Sequence, residues 1–193
     1  MNAGPWSPAQ QRTMAALAWS ALEQAVQGDD CADLTAIMDE HPWLAAPAAT
    51  FVTLEEDGQL RGCIGNLEPS KTLAESLADN AASAALRDPR FAPVTADEIA
   101  DLTMEISILS PMRPLSVASW QALHDALQPG RDGLLVRMGG RGATFLPAVW
   151  DDLPDRTAFL DHLWRKAGLA PRQWYADTRV WTYRADKFAA ARP

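Results

Sequence analysis

Residues 49–65 read ATFVTLEEDGQLRGCIG, and this stretch decides the fold. Ala49 to Glu56 has the alternation and β-branched content of a strand. Asp57-Gly58 is a two-residue hairpin signal, and Gln59 to Gly65 is the returning strand. A hairpin closed at Asp57-Gly58 pairs Leu54 with Arg61 and Val52 with Cys63. Alternation then sets Arg61 and Cys63 on one face, two residues apart. Gly62 and Gly65 flank the thiol, and glycine inside a strand marks a bulge or the close approach of a backbone or ligand.

Outward from the hairpin, helices and strands are interspersed. Ser7 as N-cap and Pro8 at the first helical position open a helix over 8–27, stopped near Gly28. A shorter helix over 32–40 ends before Pro42, and 41–47 reads as a loop. Thr72-Leu-Ala-Glu75 is a capping box for a helix over 72–87, with Leu73, Leu77, Ala81 and Ala85 as its packed stripe. Asp88-Pro89 ends it, because a residue before proline avoids the helical region. Thr95-Ala-Asp-Glu98 is a second capping box. Leu102 to Leu109 alternates as a strand, with Thr103, Glu105 and Ser107 on one face. Pro111 and Pro114 mark a loop before a helix over 117–127. Strands at 133–138 and 143–146 form a hairpin around Gly139-Gly140, a short turn or helix follows through Trp150, and a helix over 155–167 is capped by Gly168. A last strand covers 179–183. Hairpins among helices indicate an α+β fold with an antiparallel or mixed sheet and flanking helices.

The chain has 193 residues, 48% of them hydrophobic and 22% charged. That is enough for one domain, 1–193, with a sizeable core and no need of disulfide staples. Seventeen Lys and Arg stand against 25 Asp and Glu, a net charge of −8, which opposes binding to phosphate polymers. Two cysteines, Cys31 and Cys63, make no disulfide framework and suit a reducing compartment. The N-terminal stretch lacks the pattern of a secretory signal, and no apolar run reaches membrane-spanning length. The expected location is the cytoplasm.

Common catalytic templates are missing. Gly139-Gly140-Arg141-Gly142 sits between strands and reads as a hairpin turn rather than a phosphate loop. His41, His124 and His162 lie far apart and no Cys-x-x-Cys occurs, so neither a metal nor another cofactor is expected. Cys63 is the candidate nucleophile, with Arg61 supplying a cation that favours the thiolate and the glycines leaving room for a ligand. The alternative is a thiol packed as a small apolar group beside Val52 and Leu54. Asp88-Pro89-Arg90-Phe91 is a second cluster. Arg90 suits either an anionic ligand or Asp88, and a structural turn fixed by Asp88 and Arg90 with Phe91 packed is the simpler account. Glu105 and Ser107 suit general acid–base roles if their face lines a cleft, and otherwise face solvent. Eight tryptophans are many for this length; Trp6, Trp43, Trp120 and Trp174 suit a pocket or an interface, Trp164 and Trp181 a core.

Taken together, FVTLEEDGQLRGCIGNLEP (51–69), LADNAASAALRDPRF (77–91), MEISILSP (104–111), GRDGLLVR (130–137), TFLPAVWDD (144–152) and FLDHLWRKAGL (159–169) resemble the AMMECR1 family in content and order. The resemblance spans roughly 50–188, with the helix at 8–27 packing on that region. It implies two lobes flanking a cleft, and it sets Arg61, Cys63, Asp88 and Arg90 in the family's motif positions. Family members often carry Leu-Pro-Gln-Val where this chain has Leu146-Pro147-Ala148-Val149, and many carry a cysteine at Trp164. Prokaryotic relatives resemble members of a three-part system with a Memo-like protein and a radical-SAM protein. The resulting expectation is a cleft site in which Cys63 and Arg61 act on a small or peptide-borne substrate bound by Gly62, Gly65, Asp88, Arg90 and Glu105. The rival expectation is a non-catalytic adaptor for a partner protein. Nucleic-acid binding remains only if Arg61, Arg87 and Arg90 gather.

Overall fold

The structure is a computed structural model that describes residues 6–29 and 33–193. Cys31 therefore lies outside the described residues, as does the start of the helix expected over 32–40. The chain divides into two compact units, residues 1–109 with 186–193, and residues 110–185.

In the first unit, helix α1 (Pro8–Gln27) starts at Ser7, whose hydroxyl accepts from the Gln10 N–H, and stops at Gly28 in the left-handed conformation. Helix α2 (Thr35–Glu40) and a 3-10 turn, Pro42–Ala45, lead into strand β1 (Pro47–Glu56). Asp57 and Gly58 both have positive φ, 50° and 73°, as a tight hairpin turn requires. Strand β2 (Gln59–Gly65) returns, and the two-residue strand β3 (Lys71–Thr72) leads into helix α3 (Leu73–Leu86). The Thr72–Glu75 capping box forms as expected. A 3-10 turn, Glu98–Asp101, precedes strand β4 (Leu102–Leu109).

The second unit begins with β5 (Arg113–Pro114) and helix α4 (Trp120–Ala126). The hairpin β6 (Gly133–Met138) and β7 (Arg141–Phe145) follows, then helices α5 (Val149–Asp152) and α6 (Arg156–Lys166), and strand β8 (Arg179–Tyr183). A last strand, β9 (Ala185–Ala189), carries the chain back to the first unit.

The first sheet runs β2-β1-β4-β9 with β3 pairing the start of β1; the second runs β5-β8-β6-β7. β1 pairs antiparallel with β2, β3 and β4, and in the second sheet β8 with β5 and β6, and β6 with β7, are antiparallel as well. The α+β expectation with antiparallel sheets and flanking helices holds. In the first unit α3 packs on β1 and β2, and α1 packs on α3. Val52, Leu54, Met104 and Ile106 meet Leu73, Leu77 and Ala81 in one buried cluster. Trp19, buried in α1, donates its indole N–H to the Ala190 carbonyl at 2.9 Å and ties the last strand's end to this core. The second unit has its own cluster, in which Phe159 stacks on Trp150 with centroids 3.7 Å apart.

Some elements differ from the sequence reading. Arg113 and Pro114, read as loop, bridge to β8; Pro114 is tolerated because β5 is an edge. The helix expected over 117–127 begins at Trp120, because Ser119 caps it through the Ala122 N–H. β7 starts two residues earlier than expected, and β9 was not foreseen. Trp164 is fully buried as expected, whereas Trp181 is half-buried.

The register of the first hairpin also differs. Near the turn Glu55 faces Leu60, as the two-residue loop demands, but Leu54 faces Gly62 and Thr53 faces Cys63. Arg61 is the extra residue of a β-bulge. Cys63 therefore opposes Thr53, not Val52, and Arg61 opposes no residue of β1.

A Cβ built at Gly62 falls 2.1 Å from the Ala84 carbonyl oxygen in α3. Alanine at 62 is expected to cost about 3 kcal/mol or to prevent folding, since a helix backbone cannot yield like a flexible side chain. Alanine at Gly140, where nothing lies within 4 Å, is expected to cost less than about 0.5 kcal/mol. Denaturant unfolding of both variants measures the difference.

Candidate functional site

The bulge and the α3 exit bring Arg61, Cys63, Asp88 and Arg90 together at β2, an edge strand of its sheet. The Asp88 side chain is 2% exposed. It accepts from the Cys63 backbone N–H at 2.8 Å, from the Arg90 backbone N–H at 3.1 Å, and from Arg90 Nε and Nη2 at 2.9 and 2.6 Å. Arg90 Nη2 also donates to the Cys63 carbonyl at 3.4 Å. Both polar groups of the Cys63 peptide are thus held by one ion pair. The Arg90 side-chain bonds, opposed by burial and aided by the two backbone donors, hold the Asp88 carboxyl well below the usual carboxylate range. Asp88 and Arg90 form the structural turn read from the sequence, and the Arg90 guanidinium lies 5.3 Å over the half-buried Phe91 ring.

Arg61 does not serve Cys63 as the sequence suggested. The bulge redirects its side chain, and its bonds run from Nε to Glu98 Oε1 at 3.0 Å and from Nη1 to the Ala92 carbonyl at 2.9 Å. Glu98 in turn accepts from the Thr95 N–H and hydroxyl. Arg61 first, then the Thr95 N–H, depress the Glu98 carboxyl to about 2.

The glycines flanking the thiol leave room for protein rather than for a ligand. Gly62 meets α3, and a Cβ at Gly65 would fall 2.2 Å from the Phe51 ring and 2.4 Å from the Thr50 carbonyl oxygen. The thiol itself is half-buried and free. Its sulfur accepts from the Thr53 hydroxyl at 3.3 Å. Thr53 is paired on its other side with Glu105, and Ser107 with Phe51. The residues between them, Val52, Leu54, Met104 and Ile106, point into the core with α3, so Cys63, Thr53, Glu105 and Ser107 share the opposite face. Lys187 of β9, in the position facing Ser107, reaches diagonally to this face's Glu105, with Nζ 3.2 Å from Glu105 Oε2; the two side chains are 52% and 40% exposed.

Two groups of residues escaped the sequence reading. Lys187 sits in a strand that was not foreseen. A buried polar network also ties the chain after β2 to α3. Asn80 Nδ2 donates to the Thr50 carbonyl at 3.0 Å and to Asn66 Oδ1 at 2.8 Å, and the Ser76 hydroxyl donates to Asn66 Oδ1 at 2.9 Å. Its signal was present: Ser76 and Asn80 stand four apart beside the apolar stripe of α3, where polar side chains need partners. Among the described residues no group of three or more His, Cys, Asp and Glu is arranged to hold a metal. Nor is any described helix long and apolar enough to cross a membrane.

The model of the AMMECR1 family matches residues 15–188. The chain belongs to the AMMECR1 family. It is 37% identical over 190 residues to a protein of Methanothermobacter thermautotrophicus, covering 97% of this chain and 98% of that one. It is 38% identical over 151 residues to protein MJ0810 of Methanocaldococcus jannaschii, covering 74% and 73%. The crystal structure of the uncharacterized protein PH0010 from Pyrococcus horikoshii superposes with a TM-score of 0.82 at 31% identity, covering 93% of this chain and 90% of that one. AMMECR1 membership thus confirms the resemblance drawn from the LRGCIG and DPRF segments, and the solved relative confirms the fold.

Both carboxyl shifts are downward, so the stability they confer is complete above the ordinary carboxylate values and is lost as pH falls through the folded ones. For Glu98 that window runs from 4.5 to about 2. Unfolding free energy is expected to be flat from neutral pH to about 5 and to fall on further acidification. D88N, which turns an amide donor toward the Cys63 N–H and Arg90, is expected to lose about 2 kcal/mol at neutral pH and to flatten the acid limb. Chemical denaturation across pH measures both.

Proposed function

We propose that Cys63 is the reacting group of this protein, a nucleophile for covalent transfer or modification of a small or peptide-borne substrate. One observation carries the reading. The Cys63 peptide is clamped at its N–H and its carbonyl by Asp88 and Arg90, while its sulfur stands half-buried on a polar sheet face. An inert cysteine packs as a small hydrophobe. Here the sulfur instead accepts from the Thr53 hydroxyl, with Glu105 next in the row. A hydroxyl donor stabilises negative charge on sulfur as it develops. As the sulfur attacks, a carbon–sulfur bond forms, the leaving group departs with its electron pair, and the thiol proton passes to solvent or to the leaving group. Attack by an acceptor on the same carbon then breaks the carbon–sulfur bond; the sulfur leaves with the bonding pair and takes up the acceptor's proton, which restores the thiol.

In this reading Asp88 and Arg90 position the nucleophile, Thr53 steadies its charge, and Glu105 binds substrate. We place the reaction in the cytoplasm, where the thiol stays reduced, alongside Memo-like and radical-SAM partners. The cations argue against a polyanionic partner, because Arg61, Arg90 and Lys187 are each matched by a carboxylate.

A second reading, a non-catalytic adaptor, draws on a different observation. Arg61 and Gly62 serve packing, Arg61 through Glu98 and Gly62 against α3.

Alkylation by iodoacetamide separates the two readings. The nucleophile reading expects Cys63 in the folded protein to label at pH 7.5 at least as fast as free cysteine, with peptide mass spectrometry assigning the site. T53V is expected to slow this labelling about threefold to tenfold. Labelling of Cys63 only after denaturation favours the adaptor.

A further inference from the structure

Three side chains stand in register across the sheet face opposite α3, Cys63 on β2, Thr53 on β1 and Glu105 on β4, and Lys187 on β9 reaches Glu105 diagonally from the position facing Ser107. Adjacent strands are about 4.8 Å apart, so the strand carrying Glu105 lies about 10 Å from the one carrying the thiol. The row has a reactive end and a charged end. We propose that the charged end is a recognition subsite for the paired α-ammonium and α-carboxylate of an amino acid, and that the reacting carbon of the substrate lies about 10 Å away, over Cys63. This inference rests on Cys63 being the nucleophile and names the substrate class for that site.

The charges select the ligand. Lys187 Nζ lies 3.3 and 3.2 Å from the two Glu105 oxygens, and both side chains remain substantially exposed. Such an exposed pair contributes little to folding, so opening it costs little. A cationic ligand would pair with Glu105 and strand Lys187, and an anionic one would do the reverse. A zwitterionic end group pairs with both at once, replacing one ion pair by two. Its ammonium and carboxylate are about as far apart as the Lys187 and Glu105 groups that would receive them, since both are spaced by a hydrogen-bond-scale distance. Between the two ends the Thr53 side chain offers surface for an aliphatic stem.

The probe is Nε-bromoacetyl-lysine, whose reactive carbon and α-carbon are separated by a chain of the required length. Attack forms the carbon–sulfur bond and breaks the carbon–bromine bond; bromide leaves with the bonding pair and the thiol proton passes to solvent. Three bromoacetamides of matched length serve as comparators: a neutral N-alkyl one, one ending in an amine only, and one ending in a carboxylate only. Rates at Cys63 are read by intact and peptide mass spectrometry on the full chain at low salt. The zwitterionic reagent is expected to label about threefold to fivefold faster than the neutral one, with saturation kinetics, as a net gain of one weak ion pair would give. That ratio is expected to fall towards one in E105Q and in K187M, each verified as folded by circular dichroism.

Labelling by the neutral reagent with no zwitterion advantage overturns the subsite and leaves the nucleophile standing. An advantage that survives both substitutions, or one shared equally by the amine-only or carboxylate-only reagent, also overturns it. Failure of all four reagents to label folded protein overturns both readings.

Discussion

The carboxylate of Asp88 is the constraint on which this arrangement depends. β2 is an edge strand, and the Cys63 N–H would otherwise be an unpaired donor at a sheet margin. Asp88 takes that donor from the segment that leaves α3. Burying a carboxylate is costly unless its lone pairs are used, and here the donors from Arg90 and Cys63 fill them. The bond joins strand edge to helix exit. Arg90 then reaches back from the same turn to the Cys63 carbonyl, and the Val94 N–H to Ala85 bond holds the chain beyond. Without the carboxylate, the edge would lose its cover and the thiol-bearing peptide its clamp.

The bulge at Arg61 serves the same attachment. An extra residue in β2 swings the guanidinium out of the pairing and onto Glu98 and the Ala92 carbonyl, so the segment from 87 to 98 is fastened to the strand at both ends. Gly62 admits the Ala84 carbonyl on the other side. Within the Arg61-Gly62-Cys63 run, then, the arginine and the glycine are both consumed in packing the edge. The sulfur is the side chain left over, and it points to the polar face.

Much of this was legible because it is local. Ser7 and Thr72 cap their helices through bonds within one turn, Asp57-Gly58 adopts the φ values a two-residue loop needs, and β4 shows its buried face by alternation. What escaped is set by tertiary contact. A bulge leaves no mark on hydrophobic alternation when the residue inserted is an arginine amid glycines, so Cys63 was matched with the wrong partner. β9 reads ADKFA, too short and too mixed to announce a strand; Phe188 packs on the core and Lys187 turns to Glu105. The buried network of Thr50, Asn66, Ser76 and Asn80 draws on β1, α3 and the chain between β2 and β3, and no single helix or strand contains all four.

The distribution of charge bears on what can approach the thiol. The molecule carries a net charge of −8, yet the cations of this region are matched singly: Arg61 by Glu98, Arg90 by Asp88 and Lys187 by Glu105. The first two pairs are buried or semi-buried and hold backbone; opening them would leave desolvated donors and acceptors with nothing to bond. The third is exposed and holds nothing but itself, so it can exchange partners without disturbing the fold. Two ion pairs that build the edge and one that can open two strands away from the sulfur are a division of labour consistent with recognition at the Glu105 end of the row and bond-making at the Cys63 end.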